Sequence, residues 1–216
     1  MLRSVAGFPL DTTRGTLLLL RPMKKILFLL FPSLLAALVV IGCSSIPKTT
    51  KLVDRISQPP PGKALVNFHR PSNYGGGRLI AIFDGNGKML MDLPGGTLFQ
   101  HVCDPGEQVF MVWADHVTVV KADVAPDKIY DIMVDISPGW VQINIFLTPL
   151  KKGDPRRAKL AEFDRREKRT MGLNTACPRV AEYEAAKQPQ IASIKKDFLA
   201  GEKSDRVKVL QKEDCR

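Results

Sequence analysis

The sequence predicts a mainly β fold: an antiparallel β-sandwich of seven to eight strands, with an apolar N-terminal segment before it and an α-helical C-terminal tail after it. Three observations predict it. Between residues 63 and 150, short runs rich in Val, Ile and Phe recur about every ten residues between clusters of Gly, Pro, Asn and Asp. Ahead of them, residues 26–41 carry no charge; behind them, from Lys151, the chain is charged and helix-prone.

The N-terminal segment comes first. Residues 26–41 read ILFLLFPSLLAALVVI and follow Lys24-Lys25 directly. A basic stretch before an apolar run of this length is the pattern of a secretory signal peptide. Val40-Ile41-Gly42-Cys43-Ser44 then resembles the bacterial lipobox, in which a small residue precedes a cysteine that takes a diacylglycerol and becomes the first residue after cleavage. Val40 and Ile41 depart from the usual Leu-Ala/Ser pair at those positions. Cys43 is therefore the expected lipidation site, and membrane lipid the expected partner through it. Acyl chains would hold the chain firmly at about 0.8 kcal/mol per buried CH₂. The competing reading is an uncleaved anchor, since a span needs about 20 apolar residues; Pro32 and the Gly-Cys-Ser-Ser ending favour cleavage. Residues 1–22 contain Asp11 and a separate Leu17–Leu20 run, so Met23 reads as the better start and 1–22 as an over-extension. In enterobacterial lipoproteins an Asp directly after the cysteine retains the protein in the inner membrane, so the resemblance, with Ser44 at that place, implies outer-membrane sorting facing the periplasm.

Residues 43–62 read as a tether. They are polar and end in Pro59-Pro60-Pro61-Gly62, too poor in apolar surface to fold alone.

Strands are expected over 64–68, 78–83, 88–93, 97–103, 108–114, 117–124, 129–136 and 140–147. The turns between them include Ser72–Gly77, Asp84-Gly85-Asn86-Gly87, Pro94-Gly95-Gly96 and Asp104-Pro105-Gly106. Asn86-Gly87 suits a tight hairpin because both residues tolerate positive φ. Alternation in Tyr130-Asp131-Ile132-Met133-Val134-Asp135-Ile136 puts both aspartates on one face, read as solvated. Three segments, Lys63 to Ser72, Phe83 to Lys88 and Cys103 to Phe110, are similar to a family of short proteobacterial lipoproteins with a domain of unknown function. That resemblance covers about 63–150 and implies a transthyretin-like or carboxypeptidase-regulatory-like sandwich, with no activity to carry over. Asn67 and His69 stand where that family has aromatics.

Residues 151–216 form the expected basic helical tail: 18 Lys and Arg against 11 Asp and Glu, whereas 62–150 hold six against nine. One helix is expected over 156–171, a second from Pro178 that Pro189 interrupts, and a short third one ending at Gly201. Basic pairs such as Arg156-Arg157 and Lys195-Lys196 suit anionic lipid head groups or a cell-wall polymer; an exposed helical appendage is the plainer reading.

Composition limits function. The 216 residues are 44% hydrophobic and 25% charged, values of an ordinary globular chain. The net charge of +10 lies at the two ends, unlike a uniformly basic nucleic-acid-binding domain, and no nucleic-acid partner is expected. His69, His101 and His116 show no metal-ligand spacing and read as surface or half-buried strand residues, and neither a metal nor a cofactor is expected. No nucleophile sits in a recognisable frame, so no catalytic residue and no enzyme are expected. Tyr74, Trp113 and Trp140 are the candidate ligand-stacking aromatics. Of Cys103, Cys177 and Cys215, the pair Cys177–Cys215 is the favoured disulfide, closing a 39-residue loop worth about 4 kcal/mol; Cys103–Cys177, which would tie the tail to the sandwich, is the alternative. The expected role is a non-enzymatic envelope lipoprotein that meets a protein or wall polymer; the alternative is a small-ligand or glycan-binding module.

Overall fold

Alternating burial organises the chain into two β-sheets that share one core. The structure is a computed structural model describing residues 49–74, 80–140, 143–166 and 169–216. The first sheet has six strands: β1 (Thr50–Val53), β2 (Ala64–Arg70), β5 (Thr97–Cys103), β8 (Ile129–Pro138), β9 (Ile143–Pro149) and β10 (Thr170–Leu173). Their order is β1-β10-β5-β2-β8-β9. The second has five: β3 (Ile80–Asp84), β4 (Met89–Leu93), β6 (Gly106–Trp113), β7 (Val117–Val124) and β11 (Lys208–Leu210), ordered β11-β7-β6-β3-β4. The helices are α1 (Arg156–Arg166) and α2 (Pro178–Ile194), the latter continued by a π-helical turn, Lys195–Leu199.

The period-2 pattern decides which side chain faces which layer. On β2, Ala64, Val66 and Phe68 enter the shared core; on β8, Tyr130, Ile132 and Val134 do. The second sheet supplies Ile80, Ile82, Phe110, Val112, Val120 and Ala122 to the same core. Phe68 lies 5.6 Å from Phe99 of its own sheet and 5.0 Å, edge-on, from Phe110 of the other. Buried Arg70 also joins the two sheets, Nη1 donating to the Leu93 carbonyl at 2.6 Å.

The opposite face of each sheet is also covered. Phe83, Met89, Met111 and Val119 of the second sheet form a separate cluster with Cys177, Val180, Ile191, Ile194 and Phe198 of the α2 region. On the first sheet every residue of β2 is buried, and Phe163 of α1 packs edge-on to His69, their ring centroids 6.4 Å apart.

Four expectations are corrected. The sheets are mixed, since β2 pairs with β8, β10 with β5 and β11 with β7 in parallel. The described residues form eleven strands, because the tether supplies β1 and the tail β10 and β11. The tail is thus no exposed appendage: it adds a strand to each sheet and covers the second one. Finally, α2 runs through Pro189, and α1 ends at Arg166 instead of reaching residue 171. An internal proline costs about 3 kcal/mol, and burial of Ile191, Ile194 and Phe198 beyond it offsets that cost.

The Asp84–Lys88 turn forms as expected. Asp84 Oδ1 accepts from the Asn86 and Lys88 amides, both at 2.8 Å, and Gly87 takes φ 85°. The apolar run 26–41 and Cys43 lie outside the described residues. No helix among the described residues is long and apolar enough to cross a membrane.

Candidate functional site

The densest chemistry sits on the face of the first sheet that α1 covers. There the odd-numbered residues of β2 and β8 meet. Asn67 is in register with Gln100 on one side and with Asp131 on the other. A polar row follows: Gln100 Nε2 donates to Asn67 Oδ1 at 3.0 Å, and Asn67 Nδ2 to Asp131 Oδ1 at 3.2 Å.

His69 lies between two carboxylates and is 0% exposed. Its Nε2 donates to Asp131 Oδ1 at 2.9 Å. Its Nδ1 is 3.2 Å from Asp164 Oδ1 of α1, near enough for charge pairing though not aligned for a hydrogen bond. Burial pulls the His69 pKa down, but the Asp131 hydrogen bond and the close negative charges of Asp131 and Asp164 outweigh it and hold it above the usual value. The imidazolium is the form that suits two acceptors.

Asp131 is 1% exposed and accepts from five donors. Besides Asn67 and His69, Oδ2 accepts from Arg157 Nη1 at 3.1 Å and Arg216 Nε at 2.6 Å, and Oδ1 from Arg216 Nη2 at 2.7 Å. Burial alone would raise its pKa; His69 and Arg216 hold it well below the carboxylate range. Asp164 meets Arg55 at 2.9 Å and Arg216 at 3.1 Å. Burial again opposes, and His69 first, then Arg55 and Arg216, bring it down to about 2. Four cations, Arg55, His69, Arg157 and Arg216, thus surround two carboxylates.

These charges come from distant parts of the chain, which they fasten together. Arg157 Nη2 donates to the Leu150 carbonyl at 2.7 Å and also reaches the Asp214 carbonyl. Asp214 accepts from Lys151 Nζ and the Lys152 amide, both at 3.0 Å. The Arg216 amide closes the segment onto the Ile129 carbonyl at 2.9 Å. Chemically the arrangement is a lock and not a general base: both His69 nitrogens face carboxylates and neither is open to a substrate.

The expected solvated face at Asp131 and the surface-type reading of His69 are therefore both corrected. Leu160 and Phe163 of α1 dry that face, and β8 lies one strand in from the edge. Asp135, on the same face, is half-buried and accepts from Thr148 Oγ1 at 2.8 Å.

The aromatic candidates separate. Trp113 stacks on Phe83 at 4.8 Å and belongs to the cluster under α2, so it is a packing residue. Tyr74 is half-exposed after β2, and Trp140 is fully exposed in the β8–β9 connection. None of the three lines the pocket beside Asp131. The expected Cys177–Cys215 disulfide is not formed in the structure. Cys177 packs in the cluster under α2 and Cys215 against the shared core, and these two clusters occupy opposite faces of the second sheet. Cys103 is buried and free, its thiol pushed up to about 11 by burial and then by Asp104. No group of three His, Cys, Asp or Glu among the described residues is placed to hold a metal.

One sequence signal for the cluster existed. Asn67 and His69 are polar residues in a strand that otherwise reads as buried, and buried polar groups need partners. Nothing local pointed to Asp164, Arg157 or Arg216 as those partners. Comparison of the chain with protein-family models, with curated proteins and with solved structures returned no match.

Proposed function

We propose that this chain is a lipid-anchored envelope protein whose β-rich domain is a non-enzymatic interaction module. One observation carries the reading: Lys24-Lys25, the uncharged run 26–41 and Gly42-Cys43-Ser44-Ser45 follow one another in the order that export and lipidation require. Cys43 takes the lipid, 43–49 form the tether, and the domain faces the periplasm from the outer membrane. The finer architecture that goes with this reading is a β-sandwich, supported by the core that both sheets supply and by the resemblance of 63–150 to lipoproteins with a domain of unknown function. An envelope protein or a wall polymer is the partner. The locked state of His69, with no nitrogen facing solvent, supports a binding role over catalysis at that cluster.

Metabolic labelling with a fatty acid, combined with membrane fractionation, tests the anchor. Wild type takes up label in the membrane fraction and Cys43→Ala does not. Absence of label from both, with both still in the membrane, replaces the lipid by a plain apolar anchor.

The full exposure of Trp140 favours a second reading, in which Trp140 and Tyr74 contact a glycan or small ligand. Trp140→Ala then abolishes retention on a glycan array while leaving the melting temperature unchanged.

A further inference from the structure

Beside the buried ion cluster a pocket of about 410 Å³ opens along α1. Lys152, Arg157 and Arg216 line it together with one carboxylate, Asp131, while Leu160 and Ala161 supply apolar wall. The volume is that of a small-molecule site.

The charge of this lining does not cancel. Three cations face one carboxylate, and Asp131 is saturated by its five donors and almost wholly shielded from solvent. The neighbouring carboxylates are engaged as well: Asp164 by His69, Arg55 and Arg216, and Asp214 by Lys151, the Lys152 amide and the Gln211 amide. Arg216 spends Nε and Nη2 on Asp131 and Asp164, and neither carboxylate uses its Nη1. The Lys152 side chain is exposed, and its ammonium makes no ion pair among the described residues. The side chains lining the pocket carry an excess of positive charge, which suits a phosphate monoester at about −1.5 to −2 at neutral pH.

We propose that this pocket binds a phosphate monoester, its phosphoryl group between Lys152 and Arg216 and its organic part against Leu160 and Ala161. Arg157 is a positioning residue, because its guanidinium already holds Asp131 and three backbone carbonyls. The same chemistry is offered by a soluble sugar or glycerol phosphate and by a phosphatidic-acid-type lipid head group.

Calorimetric titration of the full chain in detergent tests this, using sn-glycerol 3-phosphate and dihexanoyl phosphatidic acid as probes. Wild type gives saturable binding, and Lys152→Glu weakens it by about tenfold or more, the loss expected for one charge-assisted contact. Lys159→Glu, the same charge reversal at an exposed α1 residue outside the pocket, leaves it unchanged. Equal affinity for the two probes assigns the site to soluble esters; preference for the second assigns it to a lipid head group. Absence of saturable binding by either probe overturns the proposal, and so does equal weakening by the two variants, which would reduce it to diffuse charge attraction.

Discussion

His69, Asp131 and Asp164 carry formal charge where the surroundings are dry, and their stability effects have opposite signs with pH. His69 is held above its ordinary pKa of 6.5, so its contribution is complete below about 6.5 and is lost as pH rises through the higher folded value. Asp164, brought down to about 2, contributes above about 3.9 and loses that contribution as pH falls through 2. Urea unfolding across pH therefore shows stability falling on both sides of a mildly acidic plateau. His69→Gln flattens the alkaline limb and also shrinks the acidic one, because His69 is the first cause of the low Asp164 pKa; an unchanged alkaline limb would remove His69 as its source. Asp131→Ala strands a buried imidazolium and two guanidinium groups. Its expected cost is about 3–5 kcal/mol, seen as a lower urea midpoint. A change within about 0.5 kcal/mol, the range of surface substitutions, would mean that the cluster is water-filled and not dry.

The elements most exposed to revision by the structure are the short ones. β10 holds four residues with a glycine among them, and only its neighbours make it a strand. β1 lies antiparallel on its outer side, with Gly172 opposite Lys51. A Cβ at Gly172 would stand 2.6 Å from Val53 Cγ1, so Gly172→Val should push β1 away. Hydrogen exchange should then rise in residues 50–53 while β2 and β8 stay protected. Pro189 offers the converse test. It sits inside α2, where proline is about 3 kcal/mol worse than alanine, and part of that is returned through a stiffer unfolded chain. Pro189→Ala is expected to raise stability by about 2 kcal/mol in urea unfolding; a loss would mean that the ring itself packs. α1 behaves as its composition demands, with Leu160 as its one fully buried side chain, and it is held chiefly through Arg157 and Asp164.

At the scale of the whole molecule the C-terminal third is structural. It supplies a strand to each sheet, the helix beneath the second, and Arg157, Asp164 and Arg216 to the ion cluster. Truncation after Leu150 therefore yields an unfolded or aggregating protein, not a freestanding domain without its tail, as circular dichroism and size-exclusion chromatography would report. A monomeric, cooperatively folding 1–150 fragment would contradict the fold described. Arg216→Ala is the milder form of the same experiment, and it loosens 208–216 from β7 and β8 in hydrogen exchange.

Much of this was legible in the chain. Alternating apolar residues and Gly, Pro, Asn and Asp punctuation mark the strands from Ala64 to Pro149 within two or three residues, because burial of one strand face and the geometry of a tight turn are local requirements. The uncharged run 26–41 between Lys24-Lys25 and Gly42-Cys43 is legible in the same way. Strand order, the parallel pairings of β2 with β8 and β11 with β7, and the separation of Cys177 from Cys215 were decided by tertiary structure. So was the meeting of His69 with Asp164 and Arg216, which lie 95 and 147 residues away. A charged residue in sequence looks the same whether solvated or enclosed. Its partners are chosen only once α1 and the last residues fold over the sheet and exclude water, and the energy of that choice resides in the enclosure.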